Sequence, residues 1–178
     1  MSQRDEAPVG GGLRALRHVY TANDPQSRQA IFTKARAGAP KLYSQGELAV
    51  DDIYGAPTLT DPLLETDVHL AHPEEAGGRA LGAGAASPGG TVCRVVDFAP
   101  RHECATRRGE NVDYAVVIEG TIVLTLASGQ ETRLERGDVA VQRATSHVWR
   151  NASGSEWARM LFVLQDTGSG LSRSKIRR

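Results

Sequence analysis

Between Pro100 and Asn151 this chain gathers its chemistry-bearing residues. Asp113 sits in the run VDYAVVIEG, His147 in the run SHVWRN, and His102 and Cys104 lie just upstream. An imidazole titrates near neutral pH and can take or give a proton there. A carboxylate withdrawn from water must find a counter-charge or accept a proton. An acid and an imidazole brought into one cavity would therefore suit proton transfer on a small molecule. The reading that competes with this is structural: Asp113 binding backbone amides and His147 a satisfied core histidine.

Other candidates carry less. His69 and His72 are three apart, a spacing that suits a metal on a helix, but Pro73 and the acids after it favour a loop. Cys93 and Cys104 have neither zinc spacing nor a disulfide framework and read as free thiols in a reducing compartment.

Strands must position these groups. Ile122, Leu124 and Leu126 alternate with Thr121, Val123 and Thr125, the period of a half-buried strand. Ser128-Gly129 supplies a hairpin turn and Gln130–Leu134 the return. Strands are also expected over Thr91–Phe98, Val112–Ile118, Val139–Gln142, His147–Arg150 and Trp157–Leu164. Short strands at regular spacing predict a sandwich or barrel. Upstream, Leu13–Tyr20, Gln29–Thr33 and Glu47–Tyr54 read as strands, with Asn23-Asp24-Pro25 as a turn and Ala35–Lys41 as a loop. Residues 1–12 read as a disordered leader, 13–75 as strands and loops packing on the barrel, 76–90 as a Gly/Ala-rich loop, 91–166 as the barrel and 167–178 as a flexible basic tail. Alternation puts Ala115 and Val117 on the face of Asp113, and Trp149 on the face of His147. Asn151 reads as a turn former, and Tyr114 and Trp157 as packing residues.

Composition sets limits. The chain has 178 residues, with 21 basic and 21 acidic side chains. A net charge of zero argues against nucleic acid as a partner, because such affinity rests on a basic footprint. No apolar run approaches a membrane span, and the first residues lack the apolar segment of a secretory signal. The expected location is cytoplasmic.

The two clusters resemble the paired motifs of the cupin superfamily, written generally as G-x5-H-x-H-x3-4-E-x6-G and G-x5-P-x-G-x2-H-x3-N. Asp113, seven residues before Gly120, takes the acidic position. Gly137-Asp138 opens the second motif, His147 is its histidine and Asn151 its asparagine, while its proline and glycine are replaced within Gln142-Arg143-Ala144-Thr145. DYAVVIEG, GDVAVQRATSHVWRN and ARMLFVL resemble a subgroup of small single-domain cupins found in microbial and fungal gene sets for polyketides and other natural products. The resemblance implies an all-β fold, a double-stranded β-helix or jelly roll with an N-terminal strand arm, and a homodimer.

It also implies a divalent metal (iron, manganese, nickel or zinc) held by two early histidines, the acid and the last histidine. Here the two early positions fall near Arg107 and Gly109, leaving Asp113 and His147, with His102 and Cys104 as substitute ligands. Arg107 would then stand in as a fixed positive charge, lowering the carboxylate pKa or anchoring an anionic substrate. The expectation is a biosynthetic enzyme of secondary metabolism with no cofactor assigned. It would cyclise, dehydrate, isomerise or decarboxylate an aromatic or polyketide-like molecule. His147, Asp113 and Arg107 would be catalytic, with Trp149, Val117, Ala115 and Arg143 around the substrate. A metal-dependent oxidoreductase or dioxygenase and a non-catalytic binding module are the alternatives.

Overall fold

The computed structural model describes residues 11–56, 89–106 and 111–166. Among them are twelve strands: β1 Arg17–Asn23, β2 Ala30–Ala37, β3 Lys41–Tyr43, β4 Leu48–Ala56, β5 Thr91–Phe98, β6 Glu103–Thr106, β7 Asn111–Glu119, β8 Thr121–Leu126, β9 Glu131–Glu135, β10 Val139–Arg143, β11 His147–Asn151 and β12 Ala158–Asp166. The one helical element among these residues is a 3-10 turn over Ser44–Gly46, so no described helix is long and apolar enough to cross a membrane.

Two sheets make a jelly-roll barrel. One has six strands in the order β10-β7-β12-β5-β4-β3, the other four in the order β6-β11-β8-β9, and β1 and β2 form a separate hairpin. The alternation in the sequence explains which faces meet. Val96 and Phe98 of β5, Ala115 and Val117 of β7, and Met160, Phe162 and Leu164 of β12 point inward; Ile122, Leu124 and Trp149 face them from the other sheet. Trp149 touches Phe162 across the gap, 5.7 Å between ring centroids, so the two sheets share one core. Burying an aromatic of this size contributes roughly 3 kcal/mol.

Several elements depart from the sequence reading. Residues 13–16 are not strand, and β2 runs on to Ala37 where a loop was expected, because Ala37 pairs with Arg17. Glu103–Thr106, not among the strands expected from the sequence, is a strand whose partner is β11. Four residues without alternation carry no strand signal; pairing rather than pattern makes the segment extended. Lys41–Tyr43 and Leu48–Ala56 are hydrogen-bonded members of the six-stranded sheet. Tyr114, read as packing, is 42% exposed on the outer face.

Candidate functional site: an acid and an imidazole at one rim

Asp113 lies near the start of β7, on the inward face it shares with buried Ala115 and Val117. Its cross-strand neighbours are Gln142 on β10 and Leu164 on β12. His147 begins β11 and is buried on the inward face with Trp149.

Two short crossings place both residues at the same end of the barrel. His147 pairs with Thr106, the last residue of β6, and only residues 107–110 separate Thr106 from Asn111 at the start of β7. Arg143, opposite Val112 on the six-stranded sheet, is joined to His147 on the other sheet by residues 144–146 alone. At about 3.3 Å per extended residue, segments this short cannot run the length of the barrel.

The imidazole is held firmly. Its Nδ1 lies 2.9 Å from the Thr145 carbonyl. A carbonyl only accepts, so Nδ1 carries the hydrogen and Nε2 is the basic nitrogen. Ala144 adopts a left-handed conformation (φ 54°) in the turn that presents this carbonyl. Burial lowers the His147 pKa, and the bond to Thr145 partly offsets that. The Thr145 carbonyl thus fixes the orientation of the ring.

Asp113 is different. Burial pushes its carboxyl up to about 6, and its Oδ1 is buried without a hydrogen-bond partner among the described residues. The cause is desolvation, because withdrawal from water penalises the charged form. Arg107, Gly109, His69 and His72 lie outside the described residues.

A cleft of about 430 Å³ is lined by Leu124 and Leu126 of one sheet and by Ala140, Val141, Gln142 and Arg143 of the other, with Thr145. Asp113 and His147 do not line it themselves; it reaches them through their neighbours Gln142 and Thr145. Gln142 stands opposite Asp113, and its Oε1 accepts a hydrogen bond from the Thr145 hydroxyl. Gln142 and Thr145 were not singled out from the sequence. The signal was there in the register of β10 against β7, once Asp113 was taken as inward.

Other expected site residues sort by position. Trp149 stands under the imidazole, edge-on at 5.3 Å. Ala115 and Val117 belong to the packed core, 0% and 1% exposed. Arg143 is exposed at the cleft's edge. His102 is not brought to this rim. It precedes β6 at the opposite end, where its backbone carbonyl accepts from Asn151 and its Nδ1 lies 3.1 Å from Glu47. Cys104 pairs across from Trp149 and packs against the core, and burial pushes its thiol up to about 11, which disfavours the thiolate a metal needs. Among the described residues no three His, Cys, Asp or Glu side chains are grouped to hold a metal ion. Among the described residues this rim supplies two donors of the four-ligand set that the resemblance implies, Asp113 and His147.

Comparison with known proteins agrees with this architecture. The chain is 34% identical over 166 residues to the cupin-domain-containing oxidoreductase fogC of Aspergillus ruber, covering 91% of this chain and 77% of the relative. The chain belongs to the cupin family. A second relative, the cupin-domain-containing oxidoreductase virC of Hypocrea virens, is 32% identical over 166 residues, covering 89% of this cupin and 79% of the relative. The phomopsin biosynthesis cluster protein C' of Diaporthe leptostromiformis is 52% identical over 80 residues, 45% of this chain and 42% of that protein. The cupin thus spans about two fifths of that relative's length. No family model matches the chain.

Proposed function

We propose that this cupin is a biosynthetic enzyme that performs proton-transfer chemistry on a small aromatic or polyketide-like molecule at the Asp113–His147 rim. The observation that supports this reading is the placing of two inward-facing titratable groups, both shifted toward each other's range, at one end of an apolar barrel. His147, neutral with Nδ1–H engaged, takes a proton at Nε2. Asp113, with its pKa raised to about 6, keeps a protonated fraction near neutral pH and returns a proton to another atom of the substrate. Such a pair suits cyclisation, dehydration, isomerisation or decarboxylation, each of which moves protons without net redox change. Arg107 is assigned to hold a substrate oxygen, and Trp149 and Arg143 to border the substrate. The names of the relatives as biosynthesis cluster proteins favour a natural-product substrate.

The test is turnover of phenolic and polyketide-like substrates by wild type, His147→Ala and Asp113→Asn. Retained activity in His147→Ala would remove the mechanism. The names of fogC and virC favour a second reading, a metal-dependent oxidoreductase. Stoichiometric iron or manganese, removed by a chelator together with activity, would establish it in place of the first. Tight substrate binding without turnover would make the barrel an auxiliary binding module. The assembly we propose is a homodimer built through the β1–β2 hairpin: β2 is exposed along most of its length, with Ile31 and Phe32 at 41% and 79%, and a lone two-stranded hairpin is marginally stable. Light scattering on the purified protein reads this directly, a monomeric mass being the contrary result.

A further inference from the structure

The polar cluster on the outer face of the six-stranded sheet is closed on itself. Arg159 holds Asp97 with two hydrogen bonds, at 2.6 and 2.7 Å, and donates to the Arg14 carbonyl at 2.7 Å. His18 Nε2 pairs with Asp51 Oδ2 at 3.1 Å, both buried beside Leu16 and Gly38. The cleft between the two sheets differs, because one of its buried polar groups is only half satisfied.

That group is the side-chain amide of Gln142. The residue is 5% exposed, shares the inward face of β10 with Ala140 and lines the cleft of about 430 Å³. Its Oε1 accepts a hydrogen bond from the Thr145 hydroxyl. An amide oxygen only accepts and an amide nitrogen only donates. The bond therefore fixes how the amide plane is turned, oxygen toward Thr145 and nitrogen away from it. Nε2 has no hydrogen-bond partner among the described residues and keeps surface open to the cleft. Asp113 stands opposite on β7 and does not take it, since Asp113 Oδ1 is without a partner.

The rest of the lining determines what this donor suits. Leu124, Leu126 and Ala140 are apolar, and among the described residues no carboxylate lines the cleft. A cation would find no counter-charge. A carboxylate would leave water for apolar walls and one neutral donor, with Arg143 exposed at the edge. A hydrocarbon would cover the amide and leave it unpaired, which is costly. A neutral carbonyl oxygen on an apolar body satisfies both the donor and the walls.

We propose that Gln142 is the specificity-determining residue of this cleft. Its amide N–H donates to a neutral carbonyl oxygen of the substrate, as in a ketone, ester or lactone, and Leu124, Leu126 and Ala140 hold the adjoining apolar body. The proposal rests on the reading of the rim as a site for a polyketide-like molecule, and it names the functional group by which that molecule is chosen. Thr145 is a positioning residue for two groups at once. Its hydroxyl aims the Gln142 amide, and its carbonyl aims the His147 ring from 2.9 Å.

The experiment uses the full chain, isotopically labelled in its glutamine side-chain amides for NMR. It is titrated with p-methylacetophenone and with p-ethyltoluene, the same skeleton with a methylene in place of the carbonyl. The Gln142 N–H signals should move downfield along a saturation curve with the ketone and not with the hydrocarbon. The affinity ratio of ketone to hydrocarbon should be about three- to tenfold higher in wild type than in Gln142→Met, which keeps the length and loses the donor. Thr145→Val removes the hydroxyl and keeps the carbonyl that His147 uses. It should lower the ratio as well, and it guards against misfolding of the first variant. An amide that only braced the turn would leave the ratio where it is. An unchanged ratio in either folded variant, or Gln142 signals that ignore the ketone, would overturn the proposal. Neither readout involves turnover, so an active His147→Ala variant would remove the proton-transfer reading without touching this one.

Discussion

The imidazole of His147 stands edge-on to the indole of Trp149, with 5.3 Å between ring centroids and 80° between planes. The residues are two apart on one strand, so the contact follows from the period of β11. Trp149 in turn meets Phe162 of the opposite sheet. The same side chain thus locks the two sheets and supports the proposed base. Trp149→Ala should cost about 3–5 kcal/mol, read as a lower urea midpoint.

His147→Gln keeps a polar side chain of similar length but no titrating nitrogen. Turnover should fall by about 10²–10⁴, with an unchanged thermal midpoint at neutral pH. A fall in stability that matched the fall in rate would point to a structural role instead.

Asp113 carries a pH signature. Its folded pKa, about 6, exceeds its ordinary value of 3.8. Between those values the folded protein holds a proton that the unfolded chain has lost, so this group's contribution to stability falls as pH rises. His147 acts oppositely. Its lowered folded pKa means that stability drops as pH falls below 6.5, where the unfolded ring protonates first. Asp113→Asn should therefore stabilise the protein at pH 7–8, on the order of 1 kcal/mol after allowance for solvent screening at a half-exposed group. Urea unfolding at pH 4 and pH 8 checks this: the difference between variant and wild type should be confined to the higher pH.

Asn151 ends β11 fully buried. Its Nδ2 reaches the carbonyls of Phe98, Ala99 and Glu156 at 3.0, 3.1 and 2.8 Å, and its Oδ1 accepts from the Ser153 amide at 2.9 Å. Asn151→Ala would orphan this cluster and should destabilise by roughly 2–4 kcal/mol. Because Asn151 sits at the far end of β11 from His147, substrate affinity of the folded variant should be unchanged.

Two turn residues should respond in opposite directions. Ala144 has φ 54°, and Ala144→Gly should stabilise by up to about 1 kcal/mol if the Thr145 carbonyl stays in place. Gly120 has φ 80°, and a Cβ there would come within 2.8 Å of the Ala158 Cβ. Gly120→Ala should lower the thermal midpoint.

What the sequence revealed follows from what each residue must satisfy. The strands of the barrel announce themselves because one face is apolar and the other polar, as in Thr121–Leu126, and because turns such as Ser128-Gly129 need particular residues. Asp113 and His147 were visible as polar side chains on otherwise apolar faces. β6 was not, since Glu103–Thr106 has no alternation and is extended only by pairing with β11. β2 escaped full recognition because most of its length faces solvent and no core face marks it. The outer-face centre of His18, Asp51, Asp97 and Arg159 was invisible for a related reason. Polar residues on the outward side of a strand look solvated until the fold shows that the N-terminal segment covers them. Thr145 acts through its backbone carbonyl, which side-chain identity does not encode.

One NMR titration tests the central claim most directly. With Asp113 carboxyl and His147 ring nuclei labelled in one sample, p-cresol is added as a phenolic probe at constant pH. If both residues face one pocket, the two signals should shift together along a single saturation curve, with Asp113 titrating near pH 6 before the probe is added. Shifts at one residue without the other, or an Asp113 that titrates near its ordinary value, would contradict the account.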